Sequence, residues 1–132
     1  MRVVLDANVA IAAVAAHGLC EATMELALEH HDVILCEGII AEIEDKLRHK
    51  LNVPAPVIAE FLGFLRDHSA IVEPAPVDPS ACRDPGDLMV LGLVAPAAAD
   101  AILTGDHDLL ALGTFAGASI LSPRAFWEAC RA

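Results

Sequence analysis

Ala101-Ile102-Leu103-Thr104-Gly105-Asp106-His107-Asp108-Leu109-Leu110 decides how this 132-residue chain folds. A short apolar run stops at a polar cluster containing a glycine, and a short helical stretch follows. Val3-Val4-Leu5-Asp6 repeats the arrangement near the start, with a helix expected over 8–16. Val33-Ile34-Leu35-Cys36, Ala70-Ile71-Val72 and Ser119-Ile120-Leu121 supply further strands. Between them come a helix over 20–30 and an amphipathic helix over 37–51, whose Ile39, Ile40, Ile43, Leu47 and Leu51 recur at helical spacing. Pro54 and Pro56 open another helix, with Val57, Ile58, Phe61, Leu62 and Leu65 on its apolar side. Pro74, Pro76 and Pro79 mark an ordered, irregular connection. Asp84-Pro85-Gly86-Asp87 starts a helix, Asp106 to Leu112 forms a short one, and Ser122-Pro123 caps a last one through Trp127. Strands alternating with helices make an α/β, doubly wound fold in one domain, residues 1–132.

Parallel sheets place their sites at the carboxyl ends of the strands, which is where Asp6 and Asp106 stand. Each acid also has a plain alternative. Asp6 and Asp106 suit helix caps, and Asp87 complements a helix dipole from the first turn. Glu42 lies on the flank of the 37–51 helix and pairs as readily with Lys46 four residues on. Asp108 shares the Asp106 cluster, and Asp100 reads as a cap or turn residue. Asn8 suits either a turn or a hydrogen bond that fixes the Asp6 carboxylate. Carboxylates without cysteine or histidine at ligand spacing favour a hard cation, Mg²⁺ or Mn²⁺.

The chain is 56% hydrophobic with 4% aromatic residues, so Ala, Val, Ile and Leu must fill its core. So many apolar residues in a small domain predict an exposed apolar patch. Its net charge of −11 lacks the basic footprint of a nucleic-acid binder. That charge argues either against nucleic acid or for cations placed between the acids and phosphate. Lys46, Arg48, His49 and Lys50 form the densest basic group, on the Glu42 helix. They fit phosphate contact or a solvated helix end equally well. No Gly-x-Gly-x-x-Gly, P-loop or Gly-x-Ser-x-Gly motif occurs, and the histidine spacing does not suit structural zinc. Scattered Cys20, Cys36, Cys82 and Cys130, no signal-like opening and no membrane-length apolar run point to reduced thiols and a cytoplasmic location.

Together these segments resemble the PIN domain family, in its VapC-like branch of toxin–antitoxin toxin components. Arg2-Val3-Val4-Leu5-Asp6-Ala7-Asn8-Val9 is similar to that branch's strand and Asp-Thr-Asn-Val, and Ile39-Ile40-Ala41-Glu42-Ile43 to its Ile-x-Ala-Glu-Leu. Cys82-Arg83-Asp84-Pro85-Gly86-Asp87 resembles Arg-Asp-Pro-x-Asp, and residues 100–110 resemble Asp-x-Leu-Val-Thr-Gly-Asp-x-Asp-Leu-Leu. The resemblance implies a single-domain α/β/α sandwich with a central parallel sheet. It implies a Mg²⁺- or Mn²⁺-dependent endoribonuclease for single-stranded RNA, with an antitoxin as partner, no membrane association and a homodimer as a further expectation. Its acidic site carries over to Asp6, Glu42, Asp87 and Asp106, with Asp108 as a fifth candidate. Read from the residues themselves, Asn8 and Thr104 are supporting candidates, and Lys46, His49, Lys50 and Arg83 are candidates for RNA contact. The chain departs from the pattern at Ala7, where a hydroxyl is usual, at Ala98, where glycine is common, and at Leu88-Met89. The first bears on metal organisation, the others on packing. Two rivals stand against the enzyme. A non-catalytic interaction module keeps the fold without the chemistry, and a receiver-like domain is disfavoured because Asp6 has no adjacent acid.

Overall fold

β1 (Arg2–Leu5) runs through the middle of the sheet, which is why Val3, Val4 and Leu5 are wholly buried. In the computed structural model, which describes residues 1–131, it pairs in parallel with β2 (Asp32–Leu35) on one side and β4 (Ala101–Leu103) on the other. Both faces of these strands are covered, so they read as continuous apolar runs rather than alternating ones. β3 (Ser69–Ile71) extends the sheet beyond β2, and β6 (Ala118–Leu121) extends it beyond β4, both in parallel. β5 (Thr114–Phe115) closes the far edge, giving the order β3-β2-β1-β4-β6-β5.

The β5–β6 pairing is antiparallel, so the sheet is mostly rather than wholly parallel. A two-residue turn joins the two strands, with both Ala116 and Gly117 at positive φ (49° and 89°). That backbone matches the right-handed twist of its flanking strands. Ala-Gly is a weak sequence signal for it, and the apolar pattern predicts only a single strand over 119–121.

Helices flank the sheet. α1 (Ala7–Ala16) and α2 (Leu19–His30) connect β1 to β2, while α3 (Glu37–His49) and α4 (Ala55–Asp67) connect β2 to β3. The expected helix at Asp84 is instead a 3-10 turn, Pro85–Asp87, running into α5 (Leu88–Gly92) and α6 (Val94–Ala97). The proline segment is ordered by backbone contact: the Ala75 amide donates to the Gly92 carbonyl at 2.9 Å, and a Cβ on Gly92 would lie 2.5 Å from the Ala75 oxygen. α7 (His107–Leu112) follows β4, and α8 (Pro123–Arg131) runs past the expected end at Trp127, with the Ser122 hydroxyl accepting from the Ala125 amide.

Ala98 explains one departure from the family pattern. It closes α6 in the left-handed conformation, φ 49° and ψ 49°, a backbone state costing a residue with a Cβ about 1–2 kcal/mol. The position therefore concerns backbone as well as packing. Met89 does concern packing: it lies against the first turn of α3, where a Cβ on Gly38 would meet its sulfur at 2.6 Å. Val57 and Phe64 on α4 and Ile71 on β3 are exposed apolar side chains. Among the described residues no helix is long and apolar enough to cross a membrane.

Candidate metal-binding cleft

The strand order reverses beside β1: the chain builds outward through β2 and β3, then returns to lay β4 on β1's other side. Helices leaving adjacent strands in opposite directions open a crevice at such a switch point. Asp6 emerges there directly after β1, and Asp106 emerges three residues after β4. The ladder continues past the strands, through the Asp6 amide to the Leu103 carbonyl and the Thr104 amide to the Leu121 carbonyl, both at 3.0 Å. Both strand ends are thereby held rigidly.

Thr104 joins the two acids. Its hydroxyl donates to Asp6 Oδ2 at 2.7 Å and accepts from the Asp106 amide at 3.0 Å, and the residue has no solvent exposure. Asp106 also caps α7, its Oδ2 accepting from the Leu109 amide at 3.0 Å. Capping and facing the cleft are compatible here, since each uses part of the carboxylate. Asp6 occupies the cap position of α1 but makes no side-chain cap bond. Of the two roles open to Asn8, the bond to the Asp6 carboxylate does not form; its Oδ1 accepts from the Gly105 amide at 3.2 Å and ties the β4 exit to α1.

α3 brings Glu42, exposed at the rim, and the 3-10 turn brings Asp87. Asp6, Glu42, Asp87 and Asp106 all line one cleft of about 390 Å³. Asp84 lines it as well, where its place at the start of a helix would by itself suggest only a cap. It does cap, accepting from the Gly86 amide at 2.9 Å, and the tight turn carries both of its acids to one side. The Asp-Pro-Gly-Asp spacing was the available signal. Asp108 does not line the cleft; it lies in the first turn of α7. Of the four basic candidates Lys46 and Lys50 do, whereas His49 faces Asp45 at 3.9 Å on an exposed surface and Arg83 stands exposed outside the lining.

Crowding changes the acids. Burial raises Asp6 above the ordinary carboxylate range, the Thr104 hydroxyl opposes the rise, and the charges of Asp106 and Asp84 add to it. Glu42 is raised by desolvation and then by Asp6, with Lys46 opposing. Asp87 is pushed up to about 7 by desolvation, then by the charges of Asp106 and Asp6. Cys82 beside them is raised by burial and then by Asp87 and Asp84.

The donor set suits a hard divalent cation. Its groups are carboxylate oxygens, and Asp87 Oδ2 is buried without a hydrogen-bond partner. Among the described residues no three acidic, histidine or cysteine side chains are grouped closely enough to hold a metal ion between them. The fit therefore rests on the chemistry of the donors, and magnesium, which usually keeps several waters and takes only one or two carboxylates, asks least of their spacing.

Thr104→Val keeps the shape of a buried side chain and removes both hydrogen bonds. It should destabilise the protein by about 1–3 kcal/mol, because the Asp6 oxygen and the Asp106 amide each lose a partner. Chemical denaturation measures this directly, and an unchanged midpoint would mean water replaces the hydroxyl without loss.

A sequence model of the PIN domain matches residues 2–108. A search among curated proteins gives no match. Among solved structures, the chain is similar to a chain of VapBC2 from Rickettsia felis bound to a DNA fragment from its promoter. The two share 11% identity at a TM-score of 0.65, over 92% of this chain and 98% of that one. At that identity the likeness concerns the fold.

Proposed function

The chain belongs to the PIN domain family, and from that premise we propose that it is a divalent-metal-dependent endoribonuclease for single-stranded RNA, acting as the toxin of a toxin–antitoxin pair. The observation that carries this reading is the convergence of Asp6, Glu42, Asp87 and Asp106 on one cleft, with a buried Asp87 oxygen lacking a partner. Asp6, Asp87 and Asp106, helped by Glu42, would hold Mg²⁺ or Mn²⁺. Bound there, the ion would neutralise phosphodiester charge and lower the pKa of an attacking water.

The residues supply the remainder. Thr104 fixes the Asp6 carboxylate, so the missing hydroxyl at buried Ala7 does not leave that acid unsupported. The α7 cap and the strand-end ladder fix Asp106. Glu42 is the most open of the four and has a raised affinity for protons, which suits it to accept one from water and release it to solvent. An antitoxin fits the same electrostatics. A basic side chain entering the cleft would relieve the acids' repulsion while blocking the substrate, and the similarity to a VapBC2 chain supports such a partner.

The test is incubation of purified protein with single-stranded RNA and with DNA of the same sequence, in Mn²⁺, in Mg²⁺ and in EDTA. Cleavage of RNA confined to the metal arms is expected. No cleavage in any arm would leave the fold as a non-catalytic interaction module, and cleavage surviving EDTA would remove the metal.

A further inference from the structure

The chain has only two lysines, Lys46 and Lys50, and both line the acidic cleft. Of the chain's nineteen acidic residues, five line the same cleft. Other cations are engaged elsewhere: Arg48 with Glu44, Arg66 with Glu37 through two bonds, and Arg2 with the Ala97 carbonyl. Neither lysine makes an ion pair among the described residues. Glu42 and Lys46 on α3, and Lys50 at its C-cap in helical conformation, succeed one another at one-turn intervals, about 6 Å apart on the axis. The cations thus lead away from the acids in a line. Ile11, Ala12 and Ala15 of α1, the helix packed against α3, and Leu51 just past α3 supply the apolar part of the same lining.

We propose that the lysine-bearing part of the cleft is a subsite for RNA flanking the scissile phosphate. Lys46 and Lys50 hold successive backbone phosphates, and Ile11, Ala12, Ala15 and Leu51 form a shelf for a nucleobase. The proposal rests on the nuclease reading and adds where the substrate lies and what class it is: an extended single strand longer than the bond being cut. No aromatic side chain lines the cleft among the described residues, so base contact is by aliphatic packing and discriminates weakly between bases. The lysines also offset the repulsion that an acidic chain would otherwise impose on RNA.

The experiment measures binding of a fluorescein-labelled oligouridylate by anisotropy, in Ca²⁺ across a series of NaCl concentrations. In parallel it follows cleavage of oligouridylates of increasing length in Mn²⁺. Each phosphate contact on a single strand contributes about 0.7 to the salt slope, so Lys46→Ala/Lys50→Ala should lower the slope by about 1.4. Between about 50 and about 200 mM NaCl the wild type should therefore lose roughly sevenfold more affinity than the double variant. The variant's KM should rise more than its kcat falls, and the advantage of longer substrates should shrink. Lys46 also acts electrostatically on Glu42, so Lys50→Ala is the cleaner single change. Lys46→Arg/Lys50→Arg should restore the slope. An unchanged slope and length dependence in a wild type that cleaves RNA overturns the subsite and leaves the nuclease standing. A wild type that neither binds nor cleaves overturns both.

Discussion

Asp106→Asn should cost the RNA-cleaving activity roughly a hundred- to a thousandfold in kcat, while the protein remains folded. Charge stabilisation by a bound metal is worth several kcal/mol, and each 1.4 kcal/mol is about tenfold in rate. Replacing the carboxylate by an amide keeps the side chain's size and removes the charge that would draw the cation. The fold survives for a specific reason: Asn caps helices about as well as Asp, so the bond from the Leu109 amide is retained. The backbone amide at this position still donates to Thr104. Circular dichroism melts establish folding, and a gel assay of RNA cleavage in Mn²⁺ reads activity. Asp108→Asn is the matched control, two residues away but outside the cleft, and should cleave near the wild-type rate. Full activity in Asp106→Asn would sink the carboxylate mechanism, and equal losses in both variants would attribute the effect to α7 rather than to the site.

That pair of acids also shows how much the sequence discloses. Asp6 and Asp106 were legible because each follows an apolar run buried on both faces, and such runs announce a parallel sheet whose ends are adjacent. Their neighbourhood followed from topology alone. The joining of these acids by Thr104 was not legible, because a hydroxyl's partner depends on register: Leu5 opposite Leu103 places the Thr104 side chain beside Asp6. Asn8 stayed open between two roles for the same reason, its partner being a backbone amide on the neighbouring strand's exit. Asp84 was missed because one residue served two purposes, and a cap is a sufficient explanation when only sequence is visible. Lys46 and His49 looked equivalent on the helical flank. The fold turns Lys46 into the cleft and leaves His49 to Asp45. β5 escaped because two residues joined by an Ala-Gly turn carry almost no periodicity.

Metal-free protein should become less stable as pH rises from about 4 to about 7, and Mn²⁺ should reverse the loss. The direction follows from Asp87. Its folded-state pKa of about 7 lies above its ordinary value of 3.8, so between those values the folded protein holds a proton that the unfolded chain has released. The stabilising contribution is complete below the unfolded pKa and is lost as pH climbs through the folded one. Asp6 and Glu42 are raised as well and act in the same direction. Asp87→Asn cancels the charge, and its amide can donate to Asp106. It should therefore raise the metal-free melting temperature by a few degrees at about pH 8, corresponding to roughly 1 kcal/mol after allowance for solvent screening, and change little at about pH 4. Mn²⁺ or Mg²⁺ binds the ionised, folded site, so its stabilisation should grow with pH and with concentration. Melts of wild type and Asp87→Asn in Mn²⁺, in Mg²⁺ and in NaCl of matched ionic strength separate the causes. Shifts of equal size in all three salts would mean simple screening. A metal response undiminished in Asp87→Asn would remove that carboxylate from the site, because its buried Oδ2 would then have contributed nothing to holding the ion.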